Sequence, residues 1–153
     1  MMRAMTRNFL IVLLIICLAG CSTQRKADNN PAKVGQETPA LQYWRSNNSY
    51  SPIMWIEADL DNDSRMDTVL IYRETADKCM LCVVLNTVGG FVVSESTRAP
   101  LENQIIQSKD IDQKPPVEII VSGSKNGKYG YGIFRLENNQ LIDLFADGMN
   151  DCC

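Results

Sequence analysis

The densest chemistry in the sequence is the run Asp59-Leu60-Asp61-Asn62-Asp63-Ser64-Arg65-Met66-Asp67. Carboxylates stand at positions 1, 3, 5 and 9 of this run. Ca²⁺ takes about six to eight hard oxygen ligands. Acids at alternate positions of a tight loop can turn several carboxylates inward, and a cation relieves their mutual repulsion. The candidate ligands are Asp59, Asp61, Asp63, Asp67 and the carbonyl of Arg65 at position 7. An EF-hand is excluded, because it needs Gly at position 6 and Glu at position 12, and Ser64 and Leu70 stand there. No helical pattern flanks the run. The second reactive group is thiol: Cys79-Met80-Leu81-Cys82 and Cys152-Cys153. These four can pair as two disulfides in three ways. Cross-pairing Cys79 and Cys82 with Cys152 and Cys153 would clip the C-terminal end onto the middle of the chain. Four thiolates could instead bind zinc or Cu(I), and the C-x-x-C could be a redox dithiol. That last reading lacks the strand-to-helix context that activates such thiols.

Other chemistry is excluded by composition. The chain has 153 residues and no His, so no Ser-His-Asp triad, Cys-His pair or His-ligated metal site can form. With 15 Lys+Arg against 18 Asp+Glu, the charge of -3 argues against a nucleic-acid partner. A hydrolase built on the loop carboxylates is the weakest reading, since they resemble ion ligands rather than a pair with split pKa values.

These groups need a compartment and a scaffold. Arg3 and Arg7 precede an apolar run, FLIVLLIICLAG, at 9–20. It is too short for a spanning helix and suits a signal h-region. It ends in Leu18-Ala19-Gly20-Cys21, which resembles the lipobox of bacterial lipoproteins. The resemblance implies cleavage before Cys21, a diacylglycerol thioether on Cys21 and often a third acyl chain on its amino group. Such chains hold a protein stably on a membrane. Ser22 follows, which implies the outer membrane in a Gram-negative host and the outer face of the plasma membrane in a Gram-positive one. Loss of Arg3 and Arg7 with the leader takes the charge from -3 to -5. The stretch 21–40 has few bulky apolar residues and carries Pro31, Gly35 and Pro39, so it reads as a flexible tether.

From 41 to 153 the expectation is one all-β domain. The segment 41–50 is ambiguous between a short helix and an extended piece. Eight strands are then expected, at 53–58, 67–73, 80–86, 91–96, 104–109, 117–122, 129–136 and 141–146, from runs rich in Val, Ile and aromatics. Gly89-Gly90, Asn126-Gly127 and Asn138-Asn139 stand where tight hairpins need positive φ. Gly123–Gly132 reads as a hairpin, not a P-loop. A shift of 51 places Asp59 on Asp110, Asp61 on Asp112 and Asp67 on Glu118. Two repeats of four strands follow, about 53–103 and 104–153.

The first repeat resembles the FG-GAP/VCBS-type repeats of integrin-α-like β-propellers. The residues that carry this are Asp59–Asp67, the strand Thr68-Val69-Leu70-Ile71, and the hairpin Leu85-Asn86-Thr87-Val88-Gly89-Gly90-Phe91. The resemblance implies a Ca²⁺ loop of mainly structural role and a recognition function without catalysis. Two repeats are too few to close a propeller, so an open antiparallel meander or an oligomer is expected. The second loop, Asp110–Glu118, carries Lys114 in place of a carboxylate and Pro115-Pro116. No metal is expected there, and Lys114 is the expected internal cation. The combined expectation is a lipid-anchored, non-enzymatic envelope module whose partner is another envelope protein or a glycan. The alternative is a thiol-based metal or redox protein using Cys79, Cys82, Cys152 and Cys153. Trp44, Trp55, Tyr129 and Tyr131 are candidates for a ligand face, with burial in the core as the plainer reading.

Overall fold

The computed structural model describes residues 37–153. The leader at 1–20, Cys21 and most of the tether lie outside the described residues. A short helix, α1 (Pro39–Asn47), comes first. Its start is written locally. The Thr38 side chain accepts the Leu41 N–H at 3.1 Å, and Pro39 fills the first turn, where no N–H is needed. Asn47 and Asn48 donate their side-chain amides back to the carbonyls of Tyr43 and Trp44 as the helix ends. The expected tether therefore ends before Thr38. Ala40, Leu41 and Trp44 are buried, which a solvated linker would not allow.

Nine strands follow. The first sheet holds β1 (Ser51–Ala58), β2 (Asp67–Thr75), β3 (Lys78–Thr87), β4 (Gly90–Val93) and β5 (Thr97–Ala99). The second holds β6 (Glu102–Lys109), β7 (Glu118–Lys125), β8 (Lys128–Glu137) and β9 (Gln140–Asp147). Both are antiparallel meanders, in orders β1-β2-β3-β4 and β6-β7-β8-β9. The molecule is thus all-β, two blade-like sheets without a closed ring. The expected strand at 91–96 is split. Ser94 leaves the ladder, and its hydroxyl accepts the Val83 N–H at 2.9 Å. The chain then resumes as β5 on the other half of the same β3 edge, Thr97 facing Leu81. Asn126-Gly127 and Asn138-Asn139 take positive φ, as the two-residue hairpins at these points require.

Val69, Ile71, Leu81 and Val83 of the first sheet meet Ile106, Ile119, Val121 and Phe134 of the second in one core. The opposite face of the first sheet, with Trp55, Leu70, Tyr72, Cys82 and Val84, is sealed by Ala40, Leu41 and Trp44 of α1. Covered on both sides, β2 is buried from Asp67 to Tyr72, and its sequence is accordingly apolar without alternation. A terminal turn of helix, α2 (Met149–Cys152), closes one end of the inter-sheet core. There the Leu101 N–H donates to the Cys152 carbonyl at 3.1 Å. Among the described residues no helix is long and apolar enough to cross a membrane.

Candidate functional site

The run 59–67 connects β1 to β2, and its polar side chains build it. Asp59 accepts the Asp63 N–H on one oxygen and the Ser64 N–H on the other, each at 3.0 Å. Asp61 accepts the Asp63 N–H at 3.2 Å, and Asp63 accepts the Arg65 N–H at 2.8 Å. These bonds wrap the backbone around its own carboxylates, with Asn62 and Ser64 at φ 62° and 69°. Ser64 takes the left-handed conformation that favours glycine, at a cost of about 1 kcal/mol.

Asp67 anchors the loop to the sheet. Its side chain is fully buried and accepts two backbone N–H groups, from Leu60 and from Asn86, each at 2.9 Å. Burial pushes its pKa up to about 6, with Asp61 and Asp63 adding to the rise and the two backbone donors opposing it. The Asp61 carboxyl is also raised, first by burial and then by the neighbouring Asp63.

Oxygens of Asp59, Asp61 and Asp67 come within 4.8 Å of one another. Asp63 is not among the converging groups. Its carboxylate pairs with the Arg65 guanidinium, whose Nε donates to the Asn86 carbonyl. Of the five expected ligands, three converge as side chains and one is diverted to an internal cation. Three hard carboxylates at this spacing, each with a lone pair beyond its backbone bonds, are a donor set that suits Ca²⁺.

The second loop, between β6 and β7, repeats the scaffold. Lys114 N donates to Asp110 and Asp112, each at 3.0 Å, and Ile111 N donates to Glu118 at 2.8 Å. Asp110, Asp112 and Glu118 also converge within 4.8 Å. The internal cation is not Lys114, which contributes its backbone N–H. Arg135 of β8 reaches over and pairs with both Asp112, at 2.8 Å, and Glu118. A rigid guanidinium with several donors serves two carboxylates at once. The paired guanidinium holds the Asp112 carboxyl below the usual carboxylate range. Arg135 lies outside the loop, 23 residues after Asp112 and 17 after Glu118; the signal that points to it is the β7–β8 pairing, in which Ile119 faces Phe134 and Arg135 comes next to Glu118.

The cysteines do not assemble as expected. All four are free thiols. Cys79 and Cys82 are three apart on β3 and so face opposite ways. Cys79 lies in the inter-sheet core and Cys82 beneath α1. They cannot share a metal, act as a dithiol, or both be clipped to Cys152 and Cys153. Burial pushes the Cys82 thiol up to about 12 and raises Cys79 as well, opposite to the activation a redox thiol needs. Cys152 and Cys153 do meet, with sulfurs 3.3 Å apart.

Among the aromatic candidates, Trp44 and Trp55 are core residues. Tyr129 and Tyr131 are exposed on the outer face of the second sheet, where a groove of about 540 Å³ is lined by Asn103, Ile105, Ser122 and Asp147 beside them. The Tyr131 and Phe145 rings pack with centroids 5.6 Å apart. No family model, no curated protein and no solved structure matches this chain.

Proposed function

We propose that this chain is a lipid-anchored, extracytoplasmic binding module without catalytic activity, held to the membrane through Cys21 and stiffened by Ca²⁺ at Asp59, Asp61 and Asp67. The observation that carries the binding role is the contrast between the two outer sheet faces. That of the first sheet is sealed by α1. That of the second leaves Ile105, Tyr129, Tyr131 and Phe145 exposed, with Tyr129 at 74%. A contiguous exposed patch of this kind, rimmed by Asn103, Ser122 and Asp147, is what recognition surfaces present. The lipobox-like leader supports the anchor, and the converging carboxylates support the ion.

The partner is an envelope protein or a glycan, and the test separates them. A photo-cross-linking residue is placed at Ile105 in intact cells, and a control is placed at exposed Val88 on the first sheet's β3–β4 turn. A discrete adduct from 105 that is absent from 88, and lost in Tyr129→Ser/Tyr131→Ser, identifies a protein partner. Binding to purified envelope glycan, lost in the same double variant, identifies a glycan. Equal behaviour of the double variant and the wild type in both assays refutes the role assigned to this face.

A further inference from the structure

We propose that Met149, Cys152 and Cys153 form a three-sulfur site for a Cu(I) ion. The two cysteine sulfurs are 3.3 Å apart, and each is 3.8 Å from the Met149 sulfur. Three sulfurs about 2.3 Å from a metal at the centre of their triangle stand about 4 Å from one another. The observed triangle is slightly tighter, so small side-chain rotations admit an ion. Two thiolates and a thioether are soft ligands, and a thioether in a three-coordinate set favours Cu(I) over zinc, which takes four ligands.

The surroundings are shaped for this cluster. A Cβ on Gly130 would lie 2.8 Å from the Cys152 sulfur and 2.6 Å from the Gly148 carbonyl. A Cβ on Gly132 would come within 3.6 Å of the Met149 methyl. The absence of a side chain at Gly130 lets α2 lie close to β8, while at Gly132 the tight neighbour is the Phe134 ring, 2.9 Å from where a Cβ would stand. Cys152 is fully buried and Cys153 half-buried, so one ligand is held in the core while the other faces solvent. A cleft of about 300 Å³ opens onto Cys153 and Met149, lined also by Arg98, Phe134 and Asp143. Binding releases the two thiol protons and leaves a complex of one net negative charge. Burial and the neighbouring Cys152 thiol raise the Cys153 pKa, and the positive charges of Arg98 and Lys125 oppose part of that rise. Cu(I) enters and stays as Cu(I), so no electron is transferred.

The test is an anaerobic titration of the reduced full chain with Cu(I) against a chromophoric Cu(I) chelator. One Cu(I) per chain withheld from the chelator is expected, with an all-sulfur, three-coordinate shell in X-ray absorption at the copper edge. Cys153→Ser should abolish retention, and Met149→Leu should weaken it by about tenfold or more. Cys82→Ser and Asp61→Ala should leave it unchanged, which separates this site from the calcium loop. Cys152→Ser risks misfolding because the residue is buried, so Cys153→Ser and Met149→Leu decide the matter. A reduced wild type that yields its copper as readily as Cys153→Ser overturns the proposal. So does a shell containing oxygen or nitrogen in place of the thioether.

Discussion

Leu60 and Ile111 occupy the same place in two loops. Each donates its N–H to a buried carboxylate seven residues on, Asp67 at 2.9 Å and Glu118 at 2.8 Å. Asp63 and Lys114 then each donate to the two preceding acids in the same pattern. Asn62 and Gln113 share a φ of 62°. The backbone device is common, and the cation is not. In the second loop Arg135 takes both Asp112 and Glu118, so the charge is balanced within the protein. In the first loop Arg65 takes Asp63 alone, and among the described residues Asp59, Asp61 and Asp67 converge without a side-chain cation. One backbone geometry has two electrostatic solutions, an internal guanidinium and, by our proposal, an external ion.

Removing the guanidinium is expected to have the largest effect. Arg135→Met leaves Glu118, whose side chain is 1% exposed, as an unpaired buried charge. Breaking such a pair is strongly destabilising. The melting temperature should fall by several degrees more than for any substitution below. Added Ca²⁺ should recover part of the loss, because Asp110, Asp112 and Glu118 would then match the first loop. A variant that melts like the wild type would mean that the two loops do not differ through Arg135.

Chelation acts on the other side of the comparison. Wild-type protein in EGTA should melt lower than in Ca²⁺; at a hundredfold excess of ion over Kd the difference is about 2.7 kcal/mol. Asp61→Ala should remove the response while keeping Asp67 and its backbone bonds. Identical melting curves with and without chelator would show that Asp59, Asp61 and Asp67 tolerate one another without an ion.

Much of this was legible in the sequence because strands, turns and acid spacing are local signals. The 51-residue offset that aligns Asp59 with Asp110 holds for three loop bonds, those donated by Leu60 and Ile111 and by Asp63 and Lys114, and fails where Pro115 and Pro116 replace the N–H donors Ser64 and Arg65. What escaped was decided between strands. The cation of the second loop lies on β8, whereas the loop's own sequence offers Lys114. The C-x-x-C looked like a unit, yet on a strand the third residue on faces away, and Cys79 and Cys82 are divided between two cores. The helix start was present in Thr38-Pro39, but low apolar content upstream drew the tether three residues too far. Sheet breakage at Ser94 depended on its hydroxyl replacing a ladder acceptor, which no periodicity reports.

The smaller effects test whether the shared backbone is equally strained in both loops. Ser64→Gly relieves a left-handed residue in the first loop and should stabilise by about 0.5–1 kcal/mol, less the entropy glycine adds to the unfolded chain. Gln113→Gly should gain a similar amount, since its φ is that of Asn62. Urea unfolding of both variants checks this, and a gain at Ser64 alone would place the strain at the position where the second loop has Pro115, outside the geometry that Asn62 and Gln113 share.

Lys114→Ala should change least, within about 0.5 kcal/mol. The residue acts through its N–H, which alanine keeps, and its exposed side chain is not the partner of any carboxylate in an ion pair of the loop. Lys114→Pro is the informative contrast. It removes both bonds to Asp110 and Asp112 while Arg135 stays in place. If Lys114→Ala proved as damaging as Lys114→Pro, the ammonium would share the cationic role and the two loops would be more alike than their ion pairs indicate. If only the proline variant loses stability, the loop's fold rests on its backbone donors and its charge balance on Arg135, and the two can be varied separately.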